Sequence, residues 1–399
     1  MKQVVWMIGL IWSLLPIPVI AAEPERSMRS ASSPSASSPS ASQPALQLVP
    51  WQPQTTPLLG QDDRLWQAPS DRVALLAAID HSLDYLQTPN AAAAYQKLNL
   101  PGISRDRVER SLRRFRQLVI QAQSAEQLQA AIMQEFDLYQ SIGSDGAGSV
   151  HFTGYFEPVH LASRVPTPEF QYPLYRLPSD FQQWPTPHPT RAELEGVDGL
   201  QGSTGRLNGL EIAWLRDRLD AYLVQVQGSA RLRLLDGSTL SIGYAGRTDY
   251  PYVSIGRELV NAGKIAAEEL TLNAVQSYFQ AHPAELDRYL PRNNRFIFFK
   301  ETHGAPAIGT LRVPVTAGRS IATDRSLMPP GALGLIYAQL PDANGRSNLV
   351  NRYVLDQDTG GAIRGAGRVD LFVGTGDRAA TQAGLINHDG QLYYLLLKP

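Results

Sequence analysis

Apolar and polar positions change rhythm several times along the chain. Val4 to Ile20 is almost unbroken apolar sequence, with Lys2 ahead of it and Ala21-Ala22 before Glu23 behind it. That order predicts an export signal over residues 1–22. The alternative is an uncleaved membrane anchor, for which the run is at the short limit. Pro16, Pro18 and the alanine pair favour cleavage. Residues 23–61 are dominated by Ser, Pro, Ala and Gln, which cannot bury enough apolar area to offset chain entropy. They predict a disordered tether, with the folded body starting near Asp62 or Trp66.

From Asp71 to about Ile142 the rhythm is helical. Val73, Leu75, Leu76, Ile79, Leu83 and Leu86 recur at helical spacing. Ser104 is suited to cap a further helix whose apolar stripe is Val108, Leu112, Phe115 and Val119. That helix also carries Arg105, Arg107, Arg110, Arg113, Arg114 and Arg116. They read either as a contact for an anionic polymer or as a solvated face balanced by Asp106 and Glu109, and the second is the simpler account.

After Gly143 the pattern shifts to short β-rich runs separated by Gly and Pro. Leu223–Gln227 and Arg231–Leu235, joined through Gly228-Ser229, predict a hairpin. Arg295–Phe299, Gly334–Ala338 and Tyr393–Leu397 predict further strands. Helices are expected near Ile255–Asn261 and Leu272–Gln280. No fixed-period repeat occurs, and the texture fits β-barrel domains behind a helical N-terminal section.

Composition narrows the chemistry. The 399 residues suggest two domains at roughly 150 residues each. The formal charge of −1 lacks the basic footprint of a nucleic-acid binder. With no cysteine, disulfides, thiolate metal sites, thiol catalysis and a cysteine-borne lipid anchor are excluded. The histidines at 81, 151, 160, 188, 282, 303 and 388 have no ligand spacing, so neither a metal nor a cofactor is expected. Nucleophile-elbow and Walker signatures are missing too. Carboxylate chemistry remains.

The densest candidate runs from Asp358 to Asp377 and holds Asp358, Asp370 and Asp377 in Gly-rich sequence. Around Asp370 the alternation places Val369, Leu371 and Val373 on one face, and Arg368, Asp370 and Phe372 on the other. A carboxylate beside an aromatic on an open strand face suits sugar chemistry. Asp358 and Asp377 also suit turns. Asp358-Thr359-Gly360 is the aspartic-protease tripeptide, but no second copy supplies the partner carboxylate, leaving only a protease that dimerises.

These residues lie within a longer series. Phe152-Thr153-Gly154-Tyr155-Phe156-Glu157-Pro158 is followed by Phe170–Pro178, Val226-Gln227-Gly228-Ser229, Tyr244-Ala245-Gly246 and Tyr252-Val253-Ser254-Ile255-Gly256. Phe296–Lys300, Thr323-Asp324-Arg325-Ser326, the three aspartates and Asn387-His388-Asp389-Gly390 complete it. In order and spacing the series over about 150–399 resembles the lytic murein transglycosylase A family and its C-terminal three-aspartate domain. The resemblance implies a double-psi β-barrel (300–399) joined by the helical segment 62–153, with a second β-barrel inserted over 154–299 and a glycan groove between them. It implies non-hydrolytic cleavage of the MurNAc–GlcNAc bond of peptidoglycan, leaving a 1,6-anhydromuramoyl end. Asp370 takes the place of the catalytic acid/base, with Asp358 and Asp377 as supporting carboxylates. Gln227, Ser229, Tyr244, Ser326 and Phe372 are the expected glycan contacts, and Arg368 is expected to turn towards Asp358 or Asp377. A non-catalytic, expansin-like glycan binder is the alternative.

Two departures stand out. Many relatives carry a lipidated cysteine, which this chain lacks, so membrane attachment would rest on the N-terminal apolar segment. Arg247-Thr248-Asp249 replaces the usual turn after Tyr-Ala-Gly. The expected location is the periplasm or cell envelope, and the expected partners are peptidoglycan strands, not nucleic acid.

Overall fold

The computed structural model describes residues 44–52, 58–62, 64–342 and 344–399. The expected export signal and most of the expected tether lie outside these. The tether's end is different from expectation, because Leu46–Val49 (β1) pairs antiparallel with Phe136–Ser141 (β2). Leu46 is buried there, while Leu48 on the other face is exposed. Low complexity upstream masked this short alternation.

Between β1 and β2 stand the main helices Pro69–Leu86, Pro89–Lys97, Arg105–Gln121 and Ala125–Glu135. Ser104 caps the third of them, accepting from the Arg107 amide at 3.2 Å. Val108, Leu112, Phe115 and Val119 are all fully buried. Val73 departs from its predicted stripe and is 66% exposed. The buried face of its helix runs instead through Asp71, Leu75, Ala78, Ile79, Ser82 and Leu86. The arginine-rich helix is largely a paired face: Arg107 meets Asp137, Arg110 meets Asp106, Arg113 meets Glu109, Arg114 meets Glu135 and Arg116 meets Asp80.

The chain then enters β3 (Val150–Glu157) and leaves for an inserted sheet: β4 (Val159–Ser163), β5 (Tyr172–Tyr175), β6 (Glu211–Leu215), β7 (Ser229–Leu234), β8 (Thr239–Arg247) and β9 (Ile297–Glu301). Its order is β5-β6-β4-β7-β8-β9, and a bridge from Arg176 to Phe299 joins the two ends. The chain leaves the barrel after Glu157, since β3 stays paired with β13 as far as Glu157 opposite Thr375, across a shift in register beyond Phe372. The returning chain forms β10 (Ser320–Ala322), β11 (Leu333–Pro341), β12 (Ser347–Asp358), β13 (Arg368–Thr375) and β14 (Asn387–Leu397). β14-β11-β12-β10-β13-β3 is a ring, closed by β3 against β14. Its β10–β12 and β13–β3 pairings are parallel, and the others are antiparallel. The mainly β class, with an inserted second sheet and a helical N-terminal section, holds. One hydrophobic core joins the helices to the barrel through residues such as Leu75, Ile79, Phe115, Leu335, Tyr353 and Tyr394.

The predicted hairpin at 223–235 does not form, and only its second strand exists, as β7 paired with β8 and β4. Arg218–Gln227 is a helix, capped by Asp217 at its start and ended by Gly228 in the left-handed region. Its two flanks enter different cores: Leu219 and Tyr222 in one, Ala221 and Val224 in the other. A helix buried on two sides loses the polar stripe that distinguishes it from a strand. The helices Ile255–Asn261 and Leu272–Ala281 occur where expected.

Two polar clusters hold these parts together. At the crossing between barrel and insert, buried Glu157 accepts from Arg231 of β7 and from Thr375 at the end of β13, both at 2.8 Å. Beneath the barrel, fully buried Arg319 donates to Asp62, Asp71 and the Tyr353 carbonyl. It thereby fastens the segment before the first long helix onto β12. Removing one partner from such a cluster leaves an uncompensated charge in low dielectric. Asp62→Ala is expected to lower unfolding free energy by about 3 kcal/mol, measured by urea denaturation. A loss below about 1 kcal/mol would contradict this role.

Candidate functional site

Asp370 lies in the middle of β13, opposite Ala322 of β10 on one side and Thr153 of β3 on the other. Ala322 also pairs with Asp358, the last residue of β12. One short strand therefore brings two of the three aspartates into a single cleft of about 480 Å³. Val369 and Leu371 are buried in the barrel core, as the alternation requires. The third aspartate is elsewhere: Asp377 is exposed in the first turn of the helix Asp377–Leu385 and outside the cleft lining. Gly374 and Gly376, both at positive φ, turn the chain away before it. Its supporting role is not upheld by this placement.

The two carboxyls in the cleft have different surroundings. Asp358 accepts from the Tyr155 hydroxyl at 2.9 Å, the Thr310 amide at 2.9 Å and the Thr359 amide at 2.8 Å. Among the described residues Asp370 has a single side-chain donor, the Thr153 hydroxyl at 2.8 Å. Burial pushes its pKa up to about 6, against the pull of the Thr153 hydrogen bond and the Arg368 charge, and with a push from Asp358. Arg368 has no carboxylate within 4 Å among the described residues, so it neither pairs with Asp370 nor turns to Asp358 or Asp377 as expected. Tyr155, held well above the usual phenol range by burial and by Asp358, stays a donor.

Gln227, Ser229, Tyr244 and Phe372 line the same cleft. The Gln227 side-chain oxygen accepts from the Phe156 amide at 3.2 Å, and Ser229 begins β7 just beyond the Gly228 cap. Phe372 packs on Tyr155, with ring centroids 5.2 Å apart, and is only 5% exposed. It is a wall of the cleft, not an open stacking platform. Tyr244, 42% exposed, presents the accessible ring. Ser326 does not join them: its hydroxyl donates to Asp324 at 2.7 Å, outside the lining.

Several residues escaped the sequence reading. Thr153 and Tyr252 lie in motifs already noted, but their role depends on pairings that no local pattern encodes. Gly361 lets the loop after Asp358 approach the insert, since a Cβ there would lie 2.1 Å from an Arg295 nitrogen and 3.0 Å from the Tyr252 Cβ. Asp356, also missed, is buried under the Tyr394 and Thr323 hydroxyls, and burial raises its pKa to about 7. It is outside the cleft. The unusual turn Arg247-Thr248-Asp249 is anchored by buried Thr248, which accepts from the Phe296 amide at 2.9 Å. No group of three or more His, Cys, Asp or Glu side chains suited to a metal occurs among the described residues.

Residues 151–300 match the family description "MltA specific insert domain", and residues 319–396 match "3D domain". The chain is 35% identical over 268 residues to membrane-bound lytic murein transglycosylase A of Escherichia coli K12, covering 66% of this chain and 70% of that protein. The Vibrio cholerae protein of the same name is 35% identical over 260 residues, covering 64% and 68%. Among solved structures, E. coli MltA with bound chitohexaose superposes with a TM-score of 0.66 at 28% identity, covering 90% of this chain and 95% of that one. The Agrobacterium tumefaciens membrane-bound lytic murein transglycosylase gives 0.68 at 26% identity, covering 88% and 98%.

The folded-state pKa of Asp370 is above its unfolded value of about 3.9. Its contribution to stability is therefore fully present below pH ~4 and lost as pH rises through about 6. Asp370→Asn is expected to raise the melting temperature more at pH 8 than at pH 4. Carbon-detected NMR should show a carboxyl titrating near pH 6, moving upward in Thr153→Val. A midpoint near 4 would contradict the desolvation account.

Proposed function

Because the chain belongs to the membrane-bound lytic murein transglycosylase A family, and so is a lytic transglycosylase acting on peptidoglycan, we propose that Asp370 alone serves as its general acid and base. The observation that carries this is the contrast within the cleft. Its lining offers two carboxyls, and Asp358 is held by three donors while Asp370 keeps a raised pKa and one donor.

Glycoside hydrolysis ordinarily uses a pair of carboxyls, one as acid and the other as base or nucleophile. A single group suffices when the nucleophile is already part of the substrate. In the proposed reaction, protonated Asp370 donates its proton to the oxygen linking a muramoyl C1 to the C4 of the next N-acetylglucosamine. As that bond breaks, the C6 hydroxyl of the same muramoyl residue adds to C1. The Asp370 carboxylate then takes the hydroxyl proton, so the acid is restored. The products are a 1,6-anhydromuramoyl end and a free 4-hydroxyl, and water is not consumed. Attack within one sugar replaces a second catalytic group by proximity.

Each neighbour has a part in this. Burial favours the neutral carboxyl needed at the start. The Thr153 hydroxyl and the Arg368 charge favour the carboxylate needed to collect the second proton. Gln227, Ser229 and Tyr244 line the cleft as glycan contacts, with Tyr244 as the open ring. The site acts in the cell envelope, where murein is found, and the N-terminal apolar segment is the proposed export signal or anchor.

Asp370→Asn keeps the shape but removes the proton, and is expected to lower turnover of sacculi by about a hundred- to ten-thousandfold. Wild-type turnover should fall as pH rises above about 6, about tenfold per unit once the acid is mostly ionised. Both are read from release of soluble muropeptides. Undiminished activity in Asp370→Asn would sink the assignment.

A further inference from the structure

Several arginines gathered around the cleft lack a close carboxylate partner among the described residues. Many guanidiniums of the chain are tied to carboxylates, as on the helix Arg105–Gln121 and at Arg164 and Arg176 with Glu301. A second cavity of about 920 Å³ continues from the first, sharing Gln227, Tyr252 and Arg364 with it and passing Thr153. Arg257, Arg364 and Arg368 line this cavity, and Glu268 is the only carboxylate among its described lining residues. Arg257 and Arg368 have no carboxylate within 4 Å among the described residues, and Arg364 comes only to 3.8 Å of Asp324.

These cations also act on one another. Burial lowers the pKa of Arg368, opposed by the Asp370 charge and helped by Arg257, while burial, Arg247 and Arg364 bring Arg295 down to about 10. Guanidiniums that repel one another without a close carboxylate pair lower stability. Retained together along one wall, they suit a ligand that brings its own anions. A guanidinium fork matches a carboxylate in two parallel hydrogen bonds.

The reading of the site as a murein-cleaving one supplies the chemistry, and the inference rests on it. Each muramoyl sugar carries an O3 lactyl ether ending in a carboxyl, either free or continued as an acidic peptide. N-acetylglucosamine carries no such group. We propose that Arg257, Arg364 and Arg368 form a carboxylate-binding wall that engages the acidic substituent of a muramoyl residue, so that the cleft favours murein over uncharged hexosamine chains.

The test is calorimetric binding to the Asp370→Asn protein, which holds ligand without turnover. Three ligands of equal length are compared: peptide-bearing glycan, the same glycan stripped of peptide by an amidase, and chitohexaose. Carboxylate-bearing glycan should bind about tenfold or more tighter than chitohexaose, with the advantage shrinking at high salt. Adding R257Q, R364Q and R368Q should bring its affinity down to that of chitohexaose, and the single reversal R257E should weaken it in the same direction. Tight binding of stripped glycan assigns the lactyl carboxyl as the contact, whereas tight binding of peptide-bearing glycan alone assigns the stem; either upholds the wall. An affinity ratio unchanged by the arginine substitutions, in variants of unaltered melting temperature, overturns it. Sacculus cleavage by the parent protein is measured alongside. A parent that cleaves while the ratio ignores the arginines overturns this inference alone, and a parent that does not cleave overturns the reading beneath it.

Discussion

Strand Val150–Glu157 lies parallel to Arg368–Thr375, and the chemistry of the cleft depends on that pairing. It joins Thr153 to Asp370 across 217 residues of chain. The same register sets Tyr155 against Phe372 and lets the Tyr155 hydroxyl reach Asp358. It also creates the opening for the insert. The chain leaves the barrel after Glu157 and returns with β10, and Glu157 ties both sides of the crossing through Arg231 and Thr375. Gly154 shows how close the fit is: a Cβ there would lie 2.8 Å from the Ala383 backbone of the helix covering β3. A parallel contact over such a distance closes a long loop, so it forms only with the rest of the ring in place.

The electrostatics of the groove combine two opposed demands. Asp370 must be desolvated enough to hold a proton at rest, yet remain able to ionise in the middle of the reaction. Burial meets the first demand, and Thr153 with Arg368 meets the second. The arginines further along the groove extend the positive field without forming a short pair with Asp370, which would have fixed it as a carboxylate. A chain of formal charge −1 thus contains a locally cationic wall. Net charge was a poor guide to this wall, because it averages over the surface.

What could be read from sequence follows the range of the forces involved. Ser104 as a cap, the stripe Val108–Val119 and the alternation about Asp370 are local, and the structure contains all three. Gln357 is a polar residue inside a core strand, and its explanation is tertiary. Fully buried, it donates to the Ala78 carbonyl and the Ser82 hydroxyl of a helix nearly three hundred residues earlier in the chain, and accepts from Ser320. The run Leu223–Gln227 misled because two cores share one helix. Asp377 and Ser326 misled because membership of a motif says nothing of which side of a strand end a residue takes. The arginine wall gave no signal, since Arg257, Arg364 and Arg368 come from three separate elements that only the closed fold brings together.

The central claim is that bond cleavage is completed by the muramoyl C6 hydroxyl, with one carboxyl moving both protons and water taking no part. Digesting purified sacculi in water enriched in ¹⁸O and weighing the released muropeptides tests this most directly. The account predicts 1,6-anhydromuramoyl products with no ¹⁸O at the new end. Reducing-end products carrying one ¹⁸O would contradict it, since they would mean that water, not the sugar's own hydroxyl, had completed the cleavage.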